Sequence, residues 1–186
     1  MSLLAIEQDF AGASCDRKSR PSLACSLSRA RAAQTFLLDC AQLEEFQEFL
    51  LGLDRDSRWR RFGHAASDDA LLAHARNALA AASCVIGIAL DGRLRGALEV
   101  YSCAPQPFGE AALVVDAQWR RRGLGFALLR AAAGWACENS VGSLRLIFTR
   151  DNWPMRRLAS KANARFDLVL DEICAEITHA KLQRSD

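Results

Sequence analysis

The chain is poor in the residues that usually announce a metal or redox site. It has three histidines, and its seven cysteines (15, 25, 40, 84, 103, 137 and 174) contain no Cys-x-x-Cys pair. Zinc ligation needs tighter clustering of both residue types, so no metal is expected. An odd, scattered set of cysteines suits small buried residues in a reducing compartment, and a cytoplasmic location is expected. A cysteine nucleophile has no histidine motif to support it. No apolar run reaches the roughly 18 residues of a membrane span, and no charged start followed by an apolar block marks a secretory signal. The formal net charge of +2 is too small to argue for nucleic acid. Gly-x-x-x-x-Gly-Lys-Ser/Thr does not occur, which removes the P-loop nucleotide enzymes.

What is present suits one globular domain. The 186 residues are 51% hydrophobic, enough to build a sizeable core. Residues 1–34 are rich in Ala, Ser and Arg without a sustained period and read as a flexible basic leader. Residues 35–179 read as the folded domain and 180–186 as a tail.

Phe36–Asp39 predicts a first strand, and Ala41–Leu53 an amphipathic helix with Leu43, Phe46, Phe49, Leu50 and Leu53 on one face. Ser57–Phe62 follows without an assigned element. A second helix is predicted from Ser67 to Ala82, started by Ser67 with Asp68 and Asp69. Asp91-Gly92 joins Cys84–Leu90 to Leu94–Tyr101 as a type I′ hairpin, and Ala104 to Gly109 is a loop. Glu110–Asp116 is a strand, followed after a polar turn by a helix to about Asn139. Ser143–Thr149 is a strand, a proline-started helix runs to about Ala162, and Arg165–Leu170 and Ile173–Thr178 close the chain. The predicted order is β-αα-βββ-α-β-α-ββ, an α/β (α+β) layout with a mixed, mostly antiparallel sheet flanked by helices.

One stretch organises this order. Leu113 to Arg130 passes from an apolar strand through Arg120, Arg121 and Arg122 into a helix opened by Gly123 and Gly125. Leu124, Leu128, Ala131, Ala132 and Trp135 give that helix its face. Its first turn presents unpaired N–H groups and partial positive charge beside three arginines, which is a site for a phosphate. The glycines let the main chain approach a bulky anion. The alternative is a tight strand-to-helix turn with a solvated arginine face.

Arg120-x-x-Gly123-x-Gly125, between a strand and a helix in this order, resembles the Gln/Arg-x-x-Gly-x-Gly/Ala acyl-CoA signature of the GNAT N-acetyltransferase superfamily. The resemblance covers about residues 36–178. Three further stretches are similar to the bacterial Pat-type protein lysine acetyltransferases: Ser57-Arg-Trp-Arg-Arg-Phe62, Gly109-Glu-Ala-Ala-Leu-Val-Val115, and Asn152-Trp-Pro-Met155 with Leu158-Ala159.

The resemblance implies acetyl-CoA as co-substrate, no metal, and direct transfer in a ternary complex to a primary amine, either a protein lysine or a small molecule. It implies that the amides of Arg121, Arg122, Gly123, Leu124, Gly125 and Phe126 hold the CoA pyrophosphate next to Arg120. The backbone of Leu113, Val114 and Val115 would pair with pantetheine, one amide facing the thioester oxygen. Glu110 is the implied base, with an ion pair to the arginine cluster as its other reading. Glu99 is the reserve base, read more readily as a solvent-face residue. Asn152 contacts CoA or caps its helix. The tyrosine that many relatives use as acid falls at Ala159 here, and the one tyrosine, Tyr101, ends the hairpin. Lys161-Ala-Asn163-Ala departs from the usual Lys-x-Gly-Phe. A non-catalytic acyl-CoA sensor is the second implied reading, and a homodimer stays open.

Basic and aromatic residues alternate in Arg58–Phe62 and Trp119–Arg122, yet nothing in the sequence places them on one open surface for stacking bases. Trp59 and Phe62 are expected to pack the helical hairpin, with the arginines bordering the acceptor entrance.

Overall fold

The computed structural model describes residues 33–102 and 106–178. The expected leader, apart from its last two residues, and the tail lie outside the described residues, as do Ala104 and Pro105 of the expected loop. The element order is β1 (Gln34–Leu38), a 3-10 turn (Cys40–Gln42), α1 (Leu43–Leu51), α2 (Arg55–Phe62), α3 (Asp68–Ala81), β2 (Cys84–Leu90), β3 (Arg93–Ser102), β4 (Phe108–Val115), a second 3-10 turn (Ala117–Trp119), α4 (Leu124–Glu138), β5 (Ser143–Thr149), α5 (Trp153–Lys161), β6 (Arg165–Val169) and β7 (Glu172–Thr178). The expected order is therefore short by one helix. Ser57–Phe62 belongs to α2, and three helices separate β1 from β2.

Helix α2 has almost no apolar face, which is why periodicity misses it. Its ends carry it instead: Asp54 accepts from the Ser57 amide at 2.7 Å, and Gly63 stops it in the left-handed region at φ 74°. Arg58 then reaches the carbonyls of Leu51, Leu53 and Ala66 and the carboxylate of Asp68, fastening α1, α2 and α3 together. The α3 start matches the sequence reading, with the Ser67 hydroxyl accepting from the Ala70 amide.

Seven strands form one sheet in the order β1-β2-β3-β4-β5-β7-β6. Every pair is antiparallel except β4 with β5. Asp91 (φ 54°) and Gly92 (φ 72°) make the β2–β3 connection in the backbone conformation a type I′ turn requires.

Two cores cover the two faces of the sheet. On one, Leu124, Leu128, Leu129 and Ala132 of α4 and Ala159 of α5 pack on Leu98, Val100, Leu113, Leu144, Leu146 and Ile177. Leu128 and Leu129 are fully buried, each contributing roughly 2 kcal/mol over an exposed leucine. On the other, Phe46, Leu50, Leu71 and Ala75 of α1 and α3 cover Leu38, Val85, Ala97 and Val114. Side chains alternate across strands, so Glu99, Tyr101, Glu110, Arg145 and Glu176 all share this second face.

Candidate active site

Strands β4 and β5 part soon after they meet. They pair only through Phe108–Ser143, Gly109–Leu144 and Glu110–Arg145. Beyond Glu110 they diverge, leaving a fork whose closed end is Glu110 and whose open end is Val115 with the turn into α4.

The β3 ladder sets which β4 amides face the fork. The Asp116 amide donates to Arg95 O at 2.9 Å, and the register runs without a bulge back to Ser102–Gly109. Antiparallel residues alternate between facing the partner and facing away. Ala112 and Val114 therefore point to β3, and Leu113 and Val115 point their N–H groups into the fork. This corrects the expectation for Val114, whose backbone is engaged with β3 and whose side chain lies in the core.

At the open end, Arg121 (φ 61°) and Gly123 (φ 86°) are left-handed, and α4 starts at Leu124. The first intrahelical bond runs from Ala127 to Gly123 O, and Gly123 supplies no side-chain cap. The amides of Arg121 to Phe126 thus lack a partner among the described residues, and the helix start favours an anion there. The two glycines work differently. Gly123 is required by its dihedral, with nothing within 4 Å of an added Cβ, whereas a Cβ on Gly125 would meet Leu158 Cδ2 of α5 at 3.2 Å.

The three arginines do not converge on this turn. Arg120 turns back, donating through Nη2 to Ser57 Oγ at 2.6 Å and through Nε to Val115 O at 3.2 Å. Arg122 lies 4.6 Å from the Trp119 ring centre, and Arg95 lies 4.7 Å from it. Arg121 is exposed. The cradle is made of backbone, and Arg120 and Trp119 brace it.

Glu110 at the closed end is half-buried, and its Oε2 is buried without a hydrogen-bond partner. Burial pushes its carboxyl above the ordinary range, and the Arg145 charge partly opposes this. No ion pair joins it to Arg120, Arg121 or Arg122, so the alternative reading of Glu110 fails.

Glu99 is not a solvent-face residue. It is 1% exposed. Its carboxylate accepts from Arg61 Nη2 at 2.6 Å and Tyr101 Oη at 2.9 Å, and lies 3.1 Å from His74 Nε2. Burial disfavours its charge, but Arg61 and His74 overcome that and hold its pKa down at about 2. A carboxylate so weakly basic and so fully partnered does not serve as a base. Sequence alternation placed Glu99 opposite Leu98 and Val100. The missing signal was Arg61 and His74 on the inward faces of α2 and α3. The arginines expected at the acceptor entrance are thus partly internal, and Trp59 is 56% exposed rather than packed.

Asn152 sits at the far lip of the open end, three residues past Thr149, and Thr149 is itself about 13 Å along β5 from Arg145 at ~3.3 Å per residue. It is 6% exposed, and its Oδ1 accepts from the Met155 amide at 3.2 Å, so it caps α5. Glu110 and Asn152 are not brought together. Ala159 is wholly buried against α4 and the sheet, so the usual acid position holds no polar group. Asn163 adopts φ 54°, a left-handed conformation that asparagine tolerates, where the resembled pattern has glycine. The described cysteines 40, 137 and 174 are in no disulfide, and no metal-ligating cluster occurs among the described residues. No described helix is long and apolar enough to cross a membrane.

No curated protein sequence matches the chain. Among solved structures, the GNAT domain of PAT from S. lividans aligns with a TM-score of 0.69 at 15% identity, covering 78% of this chain and 90% of that one. A PaiA N-acetyltransferase from Thermoplasma acidophilum, in complex with coenzyme A, aligns with a TM-score of 0.61 at 18% identity over 79% and 99%. Aminoglycoside acetyltransferase AAC(6')-Ib, in complex with coenzyme A, aligns with a TM-score of 0.64 at 16% identity over 83% and 99%. The sequence model of the Acetyltransferase (GNAT) family matches residues 44–163, well over half of the chain. With a forked sheet, an open amide cradle at the start of α4 and that match, the chain belongs to the GNAT acetyltransferase family.

Proposed function

We propose that the protein transfers the acetyl group of acetyl-CoA to a primary amine within a ternary complex, with Glu110 as base. The observation that carries the reading is the position of Glu110 at the closed end of the fork whose open end is the amide cradle. The CoA pyrophosphate sits on the amides of Arg121 to Phe126, with Asn152 on the opposite lip. Pantetheine runs down the fork, pairing with Leu113 and Val115, and delivers the thioester to Glu110. A coenzyme A complex of a similarly folded acetyltransferase supports the choice of cofactor.

The amine nitrogen attacks the thioester carbon while Glu110 takes its proton. A fork-facing amide of β4 donates to the developing oxyanion. The C–N bond forms, the C–S bond breaks, and CoA leaves as a thiolate that takes a proton from water. A thiolate is a good enough leaving group to depart without the tyrosine that Ala159 replaces.

The raised pKa of Glu110 brings its basicity closer to working pH, where a general base is most effective. It also means that the ionised side chain opposes folding: the neutral form is favoured in the fold, and stability falls as pH rises through the folded pKa. The test is thiol release from acetyl-CoA with a panel of amines and lysine peptides. Glu110→Gln should lower kcat at least 100-fold, leave CoA affinity unchanged and raise Tm by about 2 °C. Undiminished turnover in that variant rules out the base, and no CoA binding by the native protein rules out the reading.

A further inference from the structure

Four charged residues line up along the second face on β4, β5, β7 and β6, beyond the cluster that α1 and α3 form on it. Glu110 of β4 is the register partner of Arg145 of β5, Arg145 of Glu176 of β7, and Glu176 of Arg165 of β6. Alternating charges at adjacent positions on one face attract their neighbours. The pairing is nonetheless uneven.

Arg145 is turned away from Glu110. Its Nη2 lies 3.7 Å from Glu176 Oε1, and its guanidinium carbon lies 3.6 Å from the centre of the Phe108 ring. Glu176 is itself held, because Ser143 Oγ donates to Oε1 at 2.6 Å. The stacking and the ion pair fix the guanidinium in place while 35% of the side chain stays open to solvent. Arg145 Nε and Glu110 Oε2 are each buried without a hydrogen-bond partner, on neighbouring strands at the closed end of the fork. A fixed cation, partly open to solvent, therefore sits on the strand beside the one that carries the base, the two backbones about 5 Å apart.

This pairing has a chemical consequence for the acceptor. An amine that reaches Glu110 brings its neighbouring atoms under Arg145. A carboxylate or carbonyl on the carbon next to the amine meets the guanidinium there. An amine on a long methylene stem brings only CH2 groups, and a second cation is repelled. We propose that Arg145 selects acceptors whose amine shares a carbon neighbour with a carboxylate or carbonyl group, that is, the α-amine of a free amino acid or of a polypeptide N-terminus. The inference rests on the transfer reading above and names its substrate class. Arg145 binds the acceptor and does not enter the bond-making step.

The experiment compares four acceptors with the full chain and acetyl-CoA: L-alanine, a lysine-free tripeptide with a free N-terminus, an N-acetylated lysine amide, and 1,4-diaminobutane. The first two are expected to give kcat/KM at least tenfold above the last two, and whichever of them has the lower KM identifies the source of the α-amine. Arg145→Gln should raise the KM for that acceptor at least tenfold, change kcat less than threefold and bind acetyl-CoA as the native protein does. Arg145→Lys should recover part of the loss, and Phe108→Leu, which removes the ring under the guanidinium, should raise KM in the same direction. Turnover confined to the lysine amide or the diamine overturns this inference alone. So does a KM that rises equally for all four acceptors. Absence of turnover with all four overturns it together with the proposed function.

Discussion

Arg120 and Ser57, 63 positions apart in the chain, are joined by a 2.6 Å hydrogen bond from Nη2 to Oγ. The bond ties the turn before α4 to the first turn of α2, and Ser57 is 1% exposed. Asp56 is within 3.9 Å of the same guanidinium, and Val115 O accepts from its Nε at 3.2 Å. The arginine of the CoA signature is therefore a brace. It holds the amides of the cradle in place from behind, and it links them to the helices on the second face of the sheet.

This arrangement predicts a remote effect. Ser57→Ala removes a hydroxyl outside the cradle, which leaves one donor of a partly buried guanidinium unmet at a cost of about 1 kcal/mol of stability. Acetyl-CoA affinity should fall several-fold, and Arg120→Ala should lower it further. Calorimetric titration of both variants with acetyl-CoA measures this. Wild-type affinity in Ser57→Ala would show that the cradle stands without its brace.

The Glu99 cluster predicts an acid-dependent stability. Its folded pKa of about 2 lies below the ordinary 4.5, so the stabilisation is fully present above about 4.5 and is lost as pH falls toward 2. Glu99→Gln leaves Arg61 buried opposite a neutral amide and should cost about 3 kcal/mol at pH 7. The urea midpoint of the native protein should drop between pH 5 and 3, and that of Glu99→Gln should drop much less. Parallel pH profiles for the two proteins would place the acid sensitivity elsewhere. The same variant checks the base assignment, since a structural role for Glu99 leaves residual turnover in whatever fraction stays folded.

The sequence was informative where the signal is local. Strand β5 is Ser143–Thr149 as read, because an apolar alternation bounded by a glycine and a polar turn needs no tertiary help. The same holds for the Ser67 cap, the Asp91-Gly92 hairpin and the two-glycine start of α4. Helix α2 escaped because its support is Arg58 reaching carbonyls on two other segments. Glu99 escaped because alternation gives the face of a strand but not whether a helix covers it. Glu110 was singled out by resemblance, and its place at the closed end of the fork comes from the three-residue β4–β5 pairing. Arg145 carried no local signal at all. Its significance comes from its neighbours across two strands.

Two left-handed positions separate a backbone requirement for folding from one for binding. Gly123 at φ 86° lies within the amide cradle, and Asn163 at φ 54° lies in the turn that leads from α5 into β6. Any ordinary side chain pays about 1–2 kcal/mol in this region, with glycine exempt and asparagine partly so. Asn163→Ala should therefore lose at least about 1 kcal/mol of stability, and acetyl-CoA affinity should hold. Gly123→Ala should lose a similar amount of stability and, in addition, weaken acetyl-CoA at least tenfold, because the amides it displaces are the proposed pyrophosphate ligands. Gly123→Asn should recover much of both. Thermal melts paired with titrations read the two effects separately. An alanine at 123 that melts lower yet binds acetyl-CoA as tightly as the native protein would move the pyrophosphate site away from this turn.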